Sequence, residues 1–149
     1  MDKSLHYLLM ATHSLFQKKV FSGLSDLGPG QPKILDYLGL HDGSVQRRIA
    51  QGCQIDPATL TGLLTRMEEK QLIERRTEGG DRRSFHVYLT PLGWKKQREV
   101  MEVFQKCEEE ICGGLSVPQT EMLKETLTAL CRNMTDLAVS YTHLTLPTT

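Results

Sequence analysis

A chain of 149 residues with 39% hydrophobic and 24% charged residues has the composition of one soluble globular unit with its own core. No run approaches the ~20 apolar residues of a bilayer span, and Met1-Asp2-Lys3 does not open a signal peptide, so a cytoplasmic location and no membrane partner are expected. The formal net charge of +0 argues by itself against a nucleic-acid binder, but the distribution of charge matters more than its total.

Residues 2–21 place Leu5, Leu8, Leu9, Leu15, Phe16 and Val20 on one broad side of a predicted helix. Glycines and Pro29 make 22–31 a loop, and a short helix begins at or near Pro32 and runs to Leu40, with Ile34, Leu35 and Leu38 facing inward. Asp42-Gly43 makes a turn, and Ser44 is placed to cap a second short helix over 45–51. Gly52-Cys53-Gln54-Ile55 links it to the next helix, which Asp56 caps and Pro57 opens. Helix, tight turn, helix is an arrangement whose second helix can enter a major groove.

Leu60, Leu63, Leu64 and Met67 give that second helix a buried face. The opposite face shows Ala58, Thr59, Thr61, Gly62, Thr65 and Arg66, small and hydroxylic and then basic, which suits close approach to a surface rich in acceptors. Residues 72–76 and 85–89 read as strands, and in the second Phe85, Val87 and Leu89 alternate with His86 and Tyr88. The loop between them, with Gly79-Gly80 and Asp81-Arg82-Arg83, is too long for a tight turn and reads as the wing of a winged helix. Between positions 44 and 98 there are 11 Lys or Arg against 6 Asp or Glu, whereas 99–110 hold five acids and one lysine. A basic middle beside an acidic helix suits a protein that presents one end to phosphates.

A long helix starts at Thr90-Pro91 and runs to about Cys112. Its stripe of Val100, Phe104, Cys107 and Ile111 is a narrow seam suited to a partner helix. Ser116 and Gln119 offer a capping box for a last helix carrying Leu123, Leu127, Leu130, Met134 and Leu137. These helices exceed what a winged helix needs for its own core and read, with Leu5 and Leu8 of the first helix, as a homodimer interface. Residues 139–149, VSYTHLTLPTT, hold no Lys, Arg, Asp or Glu and break the helical pattern. They also look like a translated frame of sequencing-library primer sequence, so we read them as an assembly artefact and exclude them.

Four pieces now combine: Asp56-Pro57-Ala58-Thr59-Leu60-Thr61, Leu72-Ile73-Glu74-Arg75, Asp81-Arg82-Arg83 and Leu89-Thr90-Pro91-Leu92-Gly93. In this order and spacing they resemble the MarR family of bacterial winged helix-turn-helix transcription regulators, over positions 2–138. The resemblance implies a mainly α fold with a small β-wing (α+β). One unit at 1–138 holds a winged helix-turn-helix at about 32–90 and dimerisation helices at 2–22 and 92–138. It further implies a homodimeric repressor on a pseudo-palindromic double-stranded DNA operator, released by a small aromatic or anionic ligand. Two departures stand out. Gln71 occupies a position where family members commonly have glycine, so the helix is expected to end there in a less comfortable conformation. The stretch at 45–50 is also less acidic and less alanine-rich than is usual in the family, and its Arg47 and Arg48 are either phosphate contacts or solvated.

On chemistry, Ala58, Thr59, Thr61, Gly62, Thr65 and Arg66 face the groove, and Arg82 and Arg83 enter an adjacent minor groove with Asp81 orienting one of them. Ser44, Arg47 and Arg75 join them at the DNA, and Arg76 and Lys95 are further phosphate candidates. His13, Phe16 and Trp94 are weighed as ligand-cleft residues, with core or surface roles preferred. Four scattered cysteines without a CxxC pair point to reduced, structural thiols, with a redox-sensing regulator as an alternative. The histidines make no ligand pair, no cofactor is implied, and no phosphate loop or nucleophile motif supports an enzyme. A winged-helix module for protein contact, without operator specificity, is the other alternative.

Overall fold

The computed structural model describes residues 2–77 and 85–135. Its elements in chain order are α1 (Leu5–Ser22), α2 (Gln31–Leu40), β1 (Ser44–Val45), α3 (Gln46–Cys53), α4 (Pro57–Glu69), β2 (Ile73–Thr77), β3 (Phe85–Leu89), α5 (Pro91–Ile111) and α6 (Val117–Met134). The fold is mainly helical with a small β-sheet, as expected, and β1 adds to the two expected strands a third, giving an antiparallel sheet ordered β1-β3-β2.

Local chemistry sets most of the helix starts. The Ser4 hydroxyl accepts from the Tyr7 N–H to open α1, and Asp56 accepts from the Ala58 and Thr59 N–H groups to open α4. Ser116 and Gln119 close the capping box of α6 from both sides. Gly30, at φ 86°, turns the chain into α2, where a Cβ would lie 2.8 Å from a Leu63 methyl. Gln71 stands in the left-handed region at φ 62°, the uncomfortable helix exit expected from its replacement of glycine.

The expectation for Ser44 needs correction. Ser44 and Val45 form a short strand paired with Val87 and His86, and Val45 holds the N-cap position of α3. The Ser44 hydroxyl donates instead to the His41 carbonyl at 2.6 Å, closing the turn that precedes the strand. The free edge of β3 takes these two residues into the sheet, so α3 begins at Gln46 and runs to Cys53.

The core is built where α2, α3, α4 and the sheet converge: Ile34, Leu35, Leu38, Ile49, Leu60, Leu64, Met67, Ile73 and Val87 are fully buried. The predicted inward face of α4 is buried in full. On β3, Val87 and Leu89 enter the core, but Phe85 is 45% exposed because the sheet projects past the core at that end. The seam expected on α5 also divides. Val100 and Cys107 are buried in this chain's own core, and Phe104 packs on it and stacks on Phe16 with ring centres 6.3 Å apart. Those three serve the packing of α5 on α1 and α2, and the expectation that Val100 and Cys107 meet a partner is corrected. Leu5, Leu8, Ile111, Leu123, Leu127 and Met134 stay exposed, and no residue of α6 is buried.

Candidate nucleic-acid interface

With Leu60, Leu63, Leu64 and Met67 turned into the core, helical periodicity presents Ala58, Thr59, Thr61, Thr65 and Arg66 to solvent, with Gly62 half-buried among them. The face is ordered by its own side chains. The Thr61 hydroxyl donates to the Pro57 carbonyl at 3.1 Å and the Thr65 hydroxyl to the Thr61 carbonyl at 3.0 Å. Each hydroxyl proton is thereby used along the helix, leaving oxygen lone pairs outward.

Both lone-pair sites are occupied by neighbouring elements. Gln46, the first residue of α3, donates its Nε2 to the Thr61 hydroxyl at 2.7 Å. Arg75, from β2, brings Nη2 to the Thr65 hydroxyl at 3.4 Å and Nε to the Glu68 carboxylate at 3.5 Å. Arg75 is half-buried and tethered to α4, so it braces the helix as well as adding charge beside it. Sequence reasoning missed Gln46. The residue belongs to no motif, and its contact spans 15 positions of chain.

The remaining predicted residues fall in three groups. Arg66 is exposed on α4, and Arg47 and Arg48 are exposed on α3. Ser44 is half-buried at the edge of the sheet, its proton committed to His41. Asp81, Arg82 and Arg83 lie outside the described residues. Of the further phosphate candidates, Lys95 is exposed, while Arg76 pairs with Glu74 and lies over the Tyr88 ring at 4.4 Å. Lys70 turns inward: its ammonium donates to the Asp26 carbonyl and to Gln31 Oε1, both at 3.0 Å.

Away from this surface, hollows adjoin α5 among the described residues, and two of them matter here. One, of about 510 Å³, is lined by Phe16, Asp36, Met101, Phe104, Gln105 and Glu108. Burial, and then the nearby charge of Glu108, push the Asp36 carboxyl above its ordinary value. The other, of about 760 Å³, is an apolar groove between α1, α5 and α6 that includes Leu5, Leu8, Leu123 and Leu127. His13 lines this groove and Phe16 borders both hollows, whereas Trp94 packs against the core. Burial raises the Cys53 thiol to about 12 and also raises Cys107. Among the described residues no cluster of His, Cys, Asp or Glu could hold a metal, and no helix is long and apolar enough to cross a membrane.

Residues 23–84 match the family model described as the MarR family. The transcriptional regulator HosA of Escherichia coli is 28% identical over 102 residues, spanning 68% of this chain and 76% of HosA. The S. aureus MepR–DNA complex is 28% identical with a TM-score of 0.79, covering 90% of this chain and 100% of that one. NadR in complex with 4-hydroxyphenylacetate is 24% identical with a TM-score of 0.74 over 87% of this chain and 93% of its own, a likeness of fold.

Proposed function

We propose that the chain is a DNA-binding transcriptional regulator of the MarR family, as the match over residues 23–84 and the likeness to HosA and MepR support, and that it represses transcription as a homodimer on a pseudo-palindromic operator until a small molecule releases it. The observation that carries this reading is a division of surfaces. A polar, internally braced face on α4 that ends in Arg66 is exposed, as are Arg47 and Arg48 of α3, while the leucines of α1 and α6 are exposed along a separate apolar groove. The first face suits a duplex, and the MepR likeness comes from a protein held on DNA. The second suits a copy of the same chain, because a self-complementary patch closes after one pairing.

In this reading Ala58, Thr59, Thr61, Gly62, Thr65 and Arg66 meet the major groove, and Arg82 and Arg83 of the wing, with Asp81 orienting, meet a minor groove. Ser44, Arg47 and Arg75 stand near the backbone. The dimer is held by Leu5, Leu8, Ile111, Leu123, Leu127, Leu130 and Met134. A releasing ligand acts only through a difference in affinity between a DNA-fitting and a non-fitting spacing of the two halves. The hollow by Asp36 suits an aromatic ligand against Phe16 and Phe104, and its two carboxylates favour one without negative charge over the anionic class expected from the resemblance. Thiol sensing draws no support from Cys53 or Cys107, since burial moves both away from the reactive thiolate.

The test is a titration of the chain against duplexes from its flanking intergenic region at rising salt, with sedimentation to follow assembly. Preference over random duplex, a steep loss of affinity with salt and a micromolar or tighter dimer are expected. A monomer at micromolar concentration, or equal binding to every duplex, would overturn the proposal.

A further inference from the structure

We propose that Gln46 reads an adenine in each half-site and that Thr61 is the residue that positions it. This rests on the reading that α4 enters the major groove, and it assigns a base-reading role to a residue of the preceding helix.

A threonine hydroxyl has one proton to give, and Thr61 gives it to the Pro57 carbonyl at 3.1 Å. Towards Gln46, 2.7 Å away, Thr61 can therefore only accept. The amide of Gln46 must turn its nitrogen to Thr61, since its oxygen there would oppose a second acceptor. When that contact takes the N–H trans to Oε1, the other N–H and Oε1 are left side by side.

A donor beside an acceptor matches one purine edge. Adenine presents N7, which accepts, and the N6 amino group, which donates. Guanine offers two acceptors, N7 and O6, so Oε1 would face an acceptor across the contact. A phosphate oxygen would take the N–H but repel Oε1. The exposed setting of the Gln46–Thr61 bond keeps this edge open to a duplex lying on α4. Holding the amide in advance also lowers the entropy lost on binding, so the contact discriminates more sharply than a free glutamine would.

The experiment selects bound duplexes from a library randomised across the operator, using full-length wild type, Gln46→Ala, Gln46→Glu and Thr61→Val, followed by anisotropy titrations. Wild type is expected to prefer A·T at one position per half-site. Gln46→Ala should lose that preference alone, with affinity for the selected operator falling about tenfold or more. Gln46→Glu should move the preference towards cytosine, whose amino group a carboxylate accepts. Thr61→Val, which keeps the shape but removes the acceptor, should blur the position that Gln46→Ala abolishes. A Gln46→Ala profile identical to wild type, or an equal loss of affinity on every sequence, would overturn the assignment while leaving the regulator intact. A wild type that selects no sequence would remove both readings together. Because Gln46 lies outside the core, unchanged thermal melts will show that its variants fold.

Discussion

Gly93 and the Leu72 carbonyl approach so closely that a Cβ at Gly93 would lie 1.9 Å from the Leu72 oxygen. The same oxygen accepts from the Thr90 N–H at 3.1 Å, so the first turn of α5 is pressed onto the exit of α4. Gly93→Ala must push these backbones apart, and overpacking of this kind is destabilising by about 1–3 kcal/mol. A lowered urea midpoint is expected. An unchanged midpoint would mean that α5 can slide without loss, and that the contact does not set its position.

One residue earlier the chain turns through Gln71 at φ 62°, a conformation that strains any residue with a Cβ. The Thr90 hydroxyl donates to the Gln71 carbonyl at 2.6 Å and holds the turn in place. Gln71→Gly relieves the strain but loosens the unfolded chain, so the net gain should be about 0.5–1 kcal/mol. A destabilised variant would show that the Gln71 side chain contributes more than its backbone loses.

The sequence is most readable where local chemistry decides. Asp56 and Pro57 start α4, leucines at helical spacing bury one side of it, and the left-handed exit at Gln71 follows from a missing glycine. It is least readable where the partner is distant. β1 has two residues, too few for any period, and exists only because β3 offers an edge. The α5 stripe of Val100, Phe104 and Cys107 has the spacing of a seam, yet spacing does not say whose core it fills; α1 and α2 of the same chain fill it. Gln46 and Arg75 reach Thr61 and Thr65 across 15 and 10 positions, and nothing local marks either contact.

Asp36 carries a testable pH dependence. Burial and Glu108 raise its folded-state pKa above the ordinary carboxylate value. The folded chain therefore holds this proton more tightly than the unfolded chain does. The group's stabilising contribution is complete below the ordinary value and lost as pH rises through the folded value. At pH 7 the ionised group disfavours the fold, so Asp36→Asn should melt higher than wild type, with the difference shrinking as pH falls through the acid range. A lower melting temperature for Asp36→Asn at pH 7 would show that the carboxylate is stabilised after all.

Thiol labelling separates the cysteines. Cys53 and Cys107 are buried with raised pKa values, Cys53 to about 12, while Cys112 and Cys131 are half-buried. At pH 8 an aromatic disulfide reagent should label Cys112 and Cys131 first, and the other two only on unfolding. Rapid reaction at Cys53 or Cys107 in the native protein would restore the redox-sensing alternative.

The two proposed interfaces can be broken separately. α6 spans Val117–Met134 and buries none of its residues, and an isolated helix of that length is marginal in water. Its Leu127 lines the apolar groove with Leu8 of α1, where a second copy of the chain would seat. Burying a leucine contributes about 1.5–3 kcal/mol, and a two-fold interface counts each substitution twice. Leu127→Asp should therefore weaken the dimer by about 100-fold or more and take operator binding with it. Arg82→Ala with Arg83→Ala should do the reverse, lowering operator affinity by more than about tenfold while sedimentation still shows a dimer. If Leu127→Asp leaves the dimer intact, the groove is covered by something other than a second copy. If the arginine pair proves dispensable, α4 and α3 hold the duplex without the wing.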